Sequence, residues 1–304
     1  VPKMNITFRR DDISVSSIAS GRVRSGELVN ILGPTFLSEK IRVCSSDKAF
    51  VCLFYGTNPQ IVAQTLMMGF QLRQLHNKNE VDICLLVVDS VPQDTLRLFS
   101  VFFTIIKVSS ISPGNSSWEK GMNRKSYAKW KNVWCKLWAW NLTQYNKVII
   151  LDTDMLIRQN LMPYFNINTP AGSLWHKQLA FSTGDVIPKC EMLETQDDRP
   201  YVKYHINAGF MVITPNSQVF SDFIEWISND VNTWTSAVMP EQQALSTFFQ
   251  WTFIKDNFNI GFLRKSHKYE REDVCGLAHA ANNASIIHLT GNWTPKNFMM
   301  NTLP

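Results

Sequence analysis

Two aspartates separated by one residue stand directly after a run of apolar, strand-forming residues. Asp152 and Asp154 follow residues 148–151 (VIIL), a pattern typical of a strand buried in a parallel sheet. In open α/β sheets, ligands bind at the carboxyl ends of the strands. Carboxylate oxygens are ligands that Mg²⁺ and Mn²⁺ prefer, and these ions also bind diphosphate oxygens. The pair therefore indicates a divalent cation site, with a solvated turn as the alternative.

Phosphatases of the haloacid dehalogenase type also place Asp-x-Asp after an apolar strand. In those enzymes a Thr follows the motif, and the motif lies near the start of the domain. Here Met155 follows it, and the strand and helix patterns of residues 49–111 come first. The sequence therefore favours a cation site of another class. Release of phosphate from simple esters would identify a phosphatase.

The segments that must position this turn alternate between strand and helix patterns. Strand patterns occupy residues 49–55, 81–89 and 104–111, and helix patterns occupy residues 60–76 and 93–103. The run at 81–89 is almost continuously apolar, as expected for a strand covered on both faces. This alternation predicts βαβ units in an α/β fold whose central sheet is mainly parallel and flanked by helices.

The second half of the chain also contains both strand and helix patterns. Residues 127–142 predict an amphipathic helix, 147–155 the strand that ends in the two aspartates, 208–214 a strand and 217–231 a helix. The first of these helices is predicted to bury one face, made of Trp130, Val133, Trp134, Leu137, Trp138 and Ala139. The last is predicted to bury Phe220, Phe223, Ile224, Ile227 and Val231.

No composition shift or linker divides the patterned part of the chain. Residues 1–46 carry scattered polar residues with little periodicity, and residues 112–126 read as a polar loop. We therefore predict an N-terminal extension over 1–46 and a single domain over 47–304.

The charge of the chain fits a small anionic ligand better than a nucleic acid. The 304 residues carry a net charge of +5 with 45% hydrophobic and 18% charged residues, so a large core is available. One basic cluster stands out: Lys120, Arg124, Lys125, Lys129, Lys131 and Lys136. No nucleic-acid motif accompanies it, so no nucleic-acid partner is predicted. A diphosphate site accounts for the same charge.

The six cysteines show no paired CxxC motif and no zinc-finger spacing. Cys52, Cys84 and Cys135 each lie in an apolar run, where a free thiol behaves as a small buried hydrophobe. No apolar stretch reaches the roughly 18 residues that span a bilayer, so no membrane span is predicted in this chain. A cytoplasmic location is the simpler expectation. The alternative is a lumenal domain trimmed from a Golgi enzyme.

Several motifs in matching order resemble the family 8 glycosyltransferases, glycogenin-like members especially, over roughly residues 49–298. Residues 136–161 carry the first, KLWAWNLTQYNKVIILDTDMLIRQNL. AFVCLFYGTNPQIVAQTLMMGFQLR resembles the family's first strand and helix, and AFSTGD its sugar-contacting segment. The later motifs are INAGFMVITPN, PEQQALSTFF and IIHLTGNWTPKNF.

The resemblance implies a GT-A fold, a UDP-sugar donor, Mn²⁺ with Mg²⁺ as the alternative, and transfer with retention at the anomeric carbon. It implies metal ligation by Asp152, Asp154 and His288. It implies catalytic or sugar contacts by Lys136, Asp185, Asn207, Glu241 and Gln242. For the nucleotide and its phosphates it implies Thr57, Asn58, Thr153, Gly291 and Lys296, with Phe54 or Tyr55 as further contacts to the base.

Three departures from the family pattern limit what the resemblance implies. Ile61 stands where a base-stacking Tyr is common, and Gln243 stands where many relatives carry Asp or Gly. Tyr269 has no secure match to the tyrosine that glycogenin glucosylates on itself. We therefore expect a separate glycan or small-molecule acceptor. A self-glycosylating protein and an inactive binding relative are the alternatives, and a homodimer is left open.

Overall fold

The computed structural model describes the parts of the chain that build the sheet and its covering helices. These are residues 46–88, 91–112, 131–174, 181–187, 193–196, 199–202, 206–229, 240–255, 257–259 and 285–288. The predicted extension up to residue 45, the loop over 113–126, Tyr269, Gly291 and Lys296 lie outside the described residues.

The first half of the fold is a βαβαβ unit, as predicted. Its elements in order are β1 (Lys48–Phe54), α1 (Pro59–Leu75), β2 (Asp82–Val88), α2 (Gln93–Phe99) and β3 (Thr104–Val108). The three strands run parallel, with β1 beside β2 and β2 beside β3. Every residue of β2 is buried, which agrees with its continuous apolar sequence.

The helix predicted over 93–103 ends earlier, at Phe99. Phe103 then points its ring into the core at 2% exposure and packs closely against α1. A methyl group on Gly69 of α1 would lie only 2.5 Å from that ring. Because Phe103 packs tightly against Gly69, the chain does not continue as a helix beyond Phe99.

The second half adds nine strands and four helical segments among the described residues. The strands are β4 (Lys147–Leu151), β5 (Met155–Ile157), β6 (Ala171–Leu174), β7 (Leu193–Gln196), β8 (Arg199–Val202), β9 (Ile206–Ile213), β10 (Thr252–Phe253), β11 (Asn257–Asn259) and β12 (Ile286–His288). The helical segments are 3₁₀ helices at Val133–Asn141 and Met162–Asn166, α3 (Ser217–Asn229) and α4 (Pro240–Phe248).

The main sheet has seven strands in the order β10-β6-β9-β4-β1-β2-β3. All neighbouring pairs are parallel except those of β9, which runs antiparallel to both β4 and β6. A three-stranded sheet, β11-β12-β5, lies beyond the end of β4, and β12 pairs antiparallel with β5. The chain therefore leaves the main sheet at β4 and enters the small sheet at β5 within a few residues.

The main sheet separates two buried layers. In β1, Ala49 and Val51 face the layer that contains the 3₁₀ helix Val133–Asn141. The alternating residues Phe50 and Phe54 face the layer that contains α1. Within the described residues, no helix combines the length and apolar character needed to cross a membrane.

The tryptophan-rich segment forms a 3₁₀ helix where the sequence pattern predicted a regular amphipathic helix. In a 3₁₀ helix, side chains three residues apart lie in one row. The rows of Val133 and Trp134 are buried, whereas the row of Cys135 runs outward through the half-buried Trp138 to the exposed Asn141. The tighter winding also turns Lys136 inward, at 4% exposure.

A buried histidine joins the end of α1 to the loop before the second 3₁₀ helix. His76 donates from Nδ1 to the Leu72 carbonyl at 2.9 Å and accepts at Nε2 from the Leu161 N–H at 2.8 Å. Burial lowers the pKa of His76 below its ordinary value, against smaller raising effects from the Leu72 bond and Glu80. The neutral ring is the form that makes both bonds.

We expect this histidine to make the protein less stable in mild acid. Below the unfolded-state pKa of about 6.5, the unfolded chain binds a proton that folded His76 does not. The free energy of unfolding therefore falls as the pH drops from 6.5 towards the lowered folded pKa. Urea unfolding at several pH values should show a wild-type advantage over His76→Leu of about 1–3 kcal/mol at pH 7.5. That advantage should shrink at pH 5.5, and a constant advantage would contradict the account.

Candidate metal centre

The two aspartates of the motif lie in the turn between β4 and β5, at the carboxyl end of the main sheet. The Asp152 N–H donates to the Gly209 carbonyl of β9 at 2.9 Å, which continues the β4–β9 pairing by one residue. Both carboxylates remain about one-third exposed, at 34% and 35%. The turn is thus fixed by the sheet while its oxygens stay accessible from the sheet edge.

His288 completes a cluster with these aspartates because β12 pairs with β5, placing His288 opposite Met155. Its Nε2 lies 3.1 Å from Asp154 Oδ1 and 3.9 Å from Asp152 Oδ2. One ligand atom from each of the three residues lies within 4.8 Å of the others. We call Asp152, Asp154 and His288 the Asp-Asp-His cluster.

This cluster fits a divalent cation in chemistry and in reach. Two carboxylates and one neutral imidazole supply two negative charges, and bound cations sit roughly 2.0–2.6 Å from oxygen ligands. Atoms already within 4.8 Å of one another need only a small inward movement to share an ion. Mn²⁺ suits a mixed oxygen and nitrogen set, whereas Mg²⁺ prefers oxygens and waters.

A buried lysine lies against the same carboxylates. Lys136 donates from Nζ to Asp152 Oδ1 at 2.7 Å and to the Ala208 carbonyl at 3.0 Å. Burial lowers the pKa of Lys136, but the charges of Asp152 and Glu241 raise it further than burial lowers it. Lys136 is therefore a fixed ammonium beside the cluster. The pKa of Asp154 is lowered overall. Burial raises this pKa, but His288, a backbone N–H and Lys136 together lower it further than burial raises it.

Glu241 brings a third carboxylate to this region from the first turn of α4. It is 5% exposed, and its Oε2 accepts no hydrogen bond from any described residue. Burial raises the pKa of Glu241, with Lys136 acting in the opposite direction and Asp152 in the same one. A buried carboxylate oxygen with an unused lone pair can accept a hydroxyl from a ligand.

The first residues of β9 are held by side chains on both sides. Gln242 accepts from the Ala208 N–H at Oε1, at 2.8 Å. Asn207 contacts the His288 ring and the Gly209 N–H with the two ends of its carboxamide. Lys136, Asn207, Glu241 and Gln242, all predicted as site residues, thus meet around the Asp-Asp-His cluster.

The residues predicted to contact a nucleotide base divide into two groups. Burial raises the pKa of Tyr55, and the negative charges of Glu241 and Asp152 raise it further. Asn58 is exposed and caps α1 by accepting from the Gln60 N–H at 2.9 Å, with exposed Thr57 beside it. Phe54 instead is 1% exposed and packs edge-on against Phe99 in the core. Its ring therefore has no free face for a base.

Asp185 does not join the cluster. Its carboxylate accepts from the Ser182 N–H at 2.7 Å, and its segment pairs with the outer edge of β10 through Val186 and Thr252. Thr153 lies between the two aspartates, half-buried in their turn.

Gly209 is the residue of this site that the sequence analysis missed. A methyl group on Gly209 would lie 2.3 Å from His288 Cε1 and 2.9 Å from Asn207 Oδ1. The Asn-x-Gly motif can be read from the sequence. The role of its glycine cannot, because it depends on the contact with His288, which is distant in the sequence.

The chain matches the sequence model of glycosyl transferase family 8 over residues 52–295. It is 27% identical over 257 residues to an uncharacterized protein, R707, of Acanthamoeba polyphaga mimivirus, with 83% of each chain covered. It is 32% identical over 125 residues to glycogenin-1 of Homo sapiens, which covers 40% of this chain and 33% of glycogenin-1. The chain thus spans about a third of that relative.

Two solved structures share the fold at low sequence identity. The galactosyltransferase LgtC, in complex with donor and acceptor sugar analogues, is 15% identical with a TM-score of 0.51, covering 84% of this chain and 97% of LgtC. The glycosyltransferase GlyE of Streptococcus pneumoniae TIGR4 is 15% identical with a TM-score of 0.53, covering 82% of this chain and 56% of GlyE. The predicted GT-A fold is confirmed.

The charge balance of the cluster leads to a prediction for Lys136. Lys136→Met should lower the free energy of unfolding of the metal-free protein by about 1.5–3 kcal/mol, the range for a hydrogen bond to a charged group. Mn²⁺ should restore part of this loss, because the cation supplies positive charge to the same carboxylates. Thermal unfolding with EDTA and with Mn²⁺ measures both effects.

Lys147→Met is the matched control. Lys147 is a half-buried lysine whose Nζ donates to the Ile167 carbonyl at 2.6 Å, with no carboxylate partner among the described residues. Mn²⁺ should stabilise Lys147→Met by no more than it stabilises the wild-type protein. An equal Mn²⁺ response in both variants would contradict the charge argument.

Proposed function

Because this chain belongs to glycosyl transferase family 8, we propose that it transfers a sugar from a UDP-sugar donor to a hydroxyl acceptor. The proposed acceptor is a glycan or a small molecule, and the proposed cofactor is Mn²⁺. Transfer is proposed to retain the configuration of the anomeric carbon. Family membership supports a transferase, and the residues around the Asp-Asp-His cluster support the finer assignments.

The observation that carries this proposal is the convergence of three cation ligands and a buried ammonium at the carboxyl end of the sheet. Asp154 and His288 are already in contact at 3.1 Å, and Lys136 contacts Asp152 at 2.7 Å. When bound, a divalent ion neutralises the charge that develops on a departing diphosphate. The protein's part is to hold the ligands in place before the donor arrives.

Lys136 and Glu241 are proposed to face the transferred sugar. Lys136 is a fixed positive charge that can donate to a sugar or diphosphate oxygen, and preorganised charge of this kind stabilises a transition state. The unused Oε2 of Glu241 can accept a sugar hydroxyl. Gln242 already accepts from the Ala208 N–H through its oxygen and so supports β9 beneath the sugar.

Retention requires the acceptor oxygen to bond to the anomeric carbon on the face that the UDP oxygen leaves. The accessible rim formed by the Asp152 and Asp154 carboxylates is proposed as the side on which both groups meet. Asp185, which the family resemblance assigns to the donor sugar, is proposed to contact a sugar hydroxyl from the segment that pairs with β10.

The nucleotide is proposed to lie along the start of α1. Tyr55 directly follows β1, and Thr57 and Asn58 present exposed polar groups just before α1. Thr153, Gly291 and Lys296 are proposed as contacts to the phosphates, the last two from family resemblance alone. A reducing, cytoplasmic location is also proposed, because the three cysteines of the described residues, Cys52, Cys84 and Cys135, are buried and form no disulfide with one another.

We expect donor hydrolysis to depend on the metal and on the motif. A panel of UDP-sugars incubated with the protein and Mn²⁺ should identify a hydrolysed donor. EDTA or Asp154→Asn should lower that rate by at least about 100-fold, because charge on the leaving diphosphate is then unbalanced. Mn²⁺ added after EDTA should restore the wild-type rate.

Asp222→Asn is the control for the aspartate substitution. Asp222 is exposed on α3 and accepts from Gln218 Nε2 at 2.8 Å, away from the cluster. It should hydrolyse the donor at the wild-type rate. If Asp154→Asn hydrolysed the donor at the full rate in EDTA, the proposed role of the metal would be contradicted.

A further inference from the structure

The three residues of the Asp-Asp-His cluster belong to two different sheets. Asp152 is fixed to the main sheet, because its N–H donates to the Gly209 carbonyl of β9. Asp154 immediately precedes β5 and His288 is the last residue of β12, so these two residues are carried by the small sheet. The separation of the ligand atoms therefore depends on how the small sheet is held against the main sheet.

One side chain of α1 joins the two sheets. Helix α1 packs on the main sheet, where its Leu72 shares a buried layer with Phe50 of β1. From the same helix, the half-buried Gln71 reaches the small sheet, and its Oε1 accepts from the Ile157 N–H of β5 at 2.9 Å. Its Nε2 donates to the Met67 carbonyl of α1 at 3.2 Å. Gln71 thus bonds the backbone of the small sheet to a helix that is packed on the main sheet.

We propose that Gln71 is a positioning residue of the metal centre. By holding β5 against α1, it sets the distances of Asp154 and His288 from Asp152. This inference rests on the proposed metal site. Gln71 itself touches neither the ion nor the donor, and it acts through the backbone of β5.

The Ile157 N–H needs an acceptor of this kind because it faces the outer edge of β5. Among the described strands, β5 is paired on one side only, with β12. The Arg158 N–H donates towards β12, to the Ser285 carbonyl at 2.9 Å. N–H groups of successive residues point to opposite sides of a strand, so the Ile157 N–H points away from β12, where Gln71 meets it. Gln71 therefore holds this three-residue strand from the side that β12 does not cover.

The two ends of the Gln71 carboxamide cannot be exchanged. The Ile157 N–H requires an oxygen, and the Met67 carbonyl requires an N–H group. The Met67 carbonyl lies four residues before Gln71 within α1, so it is also the acceptor of the helical bond from the Gln71 backbone. The bond to Ile157 is consequently the one that depends on the side-chain oxygen. A carboxylate at position 71 would keep that bond, whereas a thioether would lose it.

The test is the Kd for Mn²⁺ of metal-depleted, nucleotide-free protein, measured from the electron paramagnetic resonance signal of free Mn²⁺. Gln71→Met has a similar length but no oxygen for the Ile157 N–H. Its Kd should rise about three- to tenfold, the change expected when one hydrogen bond is coupled to binding. Gln71→Glu keeps the acceptor and should bind Mn²⁺ with nearly wild-type affinity. This recovery separates the hydrogen bond from the packing of the side chain.

Gln74 provides the matched controls, because it is exposed on the same helix three residues after Gln71. Gln74→Met and Gln74→Glu make the same changes in side chain and charge, and both should bind Mn²⁺ as wild type does. Lys147→Met controls for a loss of stability. It removes a hydrogen bond to the Ile167 carbonyl at the end of β4 opposite to Asp152, so its Kd for Mn²⁺ should equal that of wild type.

A second measurement uses the wild-type protein and does not depend on the folding of any variant. Coupling between metal binding and the bond to β5 is reciprocal, so Mn²⁺ should slow hydrogen exchange of the Ile157 amide. Amides of α3 that exchange through local opening should keep their rates, and EDTA should restore the faster exchange at Ile157. Exchange of the Ile157 amide at one rate in Mn²⁺ and in EDTA would overturn the positioning role.

The outcomes distinguish this inference from the proposed function. If Asp154→Asn weakens Mn²⁺ binding and Gln71→Met does not, the positioning role is overturned and the metal site stands. If Gln71→Glu binds as weakly as Gln71→Met, or Gln74→Met binds as weakly as Gln71→Met, the positioning role is likewise overturned. If wild type binds no Mn²⁺, or if His288→Ala binds it as wild type does, the proposed ligand set is overturned together with the inference.

Discussion

Two aspartates lie together in the turn at the carboxyl end of the central sheet, and positive charge offsets their mutual repulsion. Asp152 and Asp154 are separated by one residue, and each has a ligand atom within 4.8 Å of the other. Two like charges about 4 Å apart repel by about 4 kcal/mol at an effective dielectric constant of 20. The buried ammonium of Lys136, 2.7 Å from Asp152, offsets part of this repulsion. A bound divalent cation would offset the rest, and this couples the stability of the site to its proposed chemistry.

This balance accounts for features of the fold that otherwise look unrelated. The 3₁₀ winding of Val133–Asn141 turns Lys136 into the protein, where its ammonium donates hydrogen bonds to the Ala208 carbonyl and to Asp152. The antiparallel insertion of β9 beside β4 brings Ala208 and Gly209 to the aspartate turn. The exit of the chain from β4 into β5 then allows β12 to present His288 from the small sheet. The β4–β5 turn and β12 supply the three residues of the Asp-Asp-His cluster, and the 3₁₀ helix and β9 supply groups that contact it.

The sequence predicted the parts of this arrangement that depend on local pattern. Apolar runs such as residues 81–89 identify strands, and a strand that ends in Asp152 and Asp154 identifies the sheet edge that binds ligands. The ordered motifs identify the family. The winding of the tryptophan segment was not predicted, because most of its residues are buried and the apolar pattern therefore does not mark a single face. The role of Gly209 required the position of His288, which a strand far along the chain brings to the site.

The central claim is that the Asp-Asp-His cluster binds a cation that in turn binds the donor's diphosphate. Calorimetric titration of UDP into the wild-type protein, in Mn²⁺ and then in EDTA, tests it most directly. Binding of two ligands to one site is reciprocal, so Mn²⁺ should tighten UDP binding by at least about tenfold, or 1.4 kcal/mol. The effect should vanish when Asp152 and Asp154 are both changed to Asn. Equal UDP affinity in Mn²⁺ and in EDTA for the wild-type protein would contradict the account.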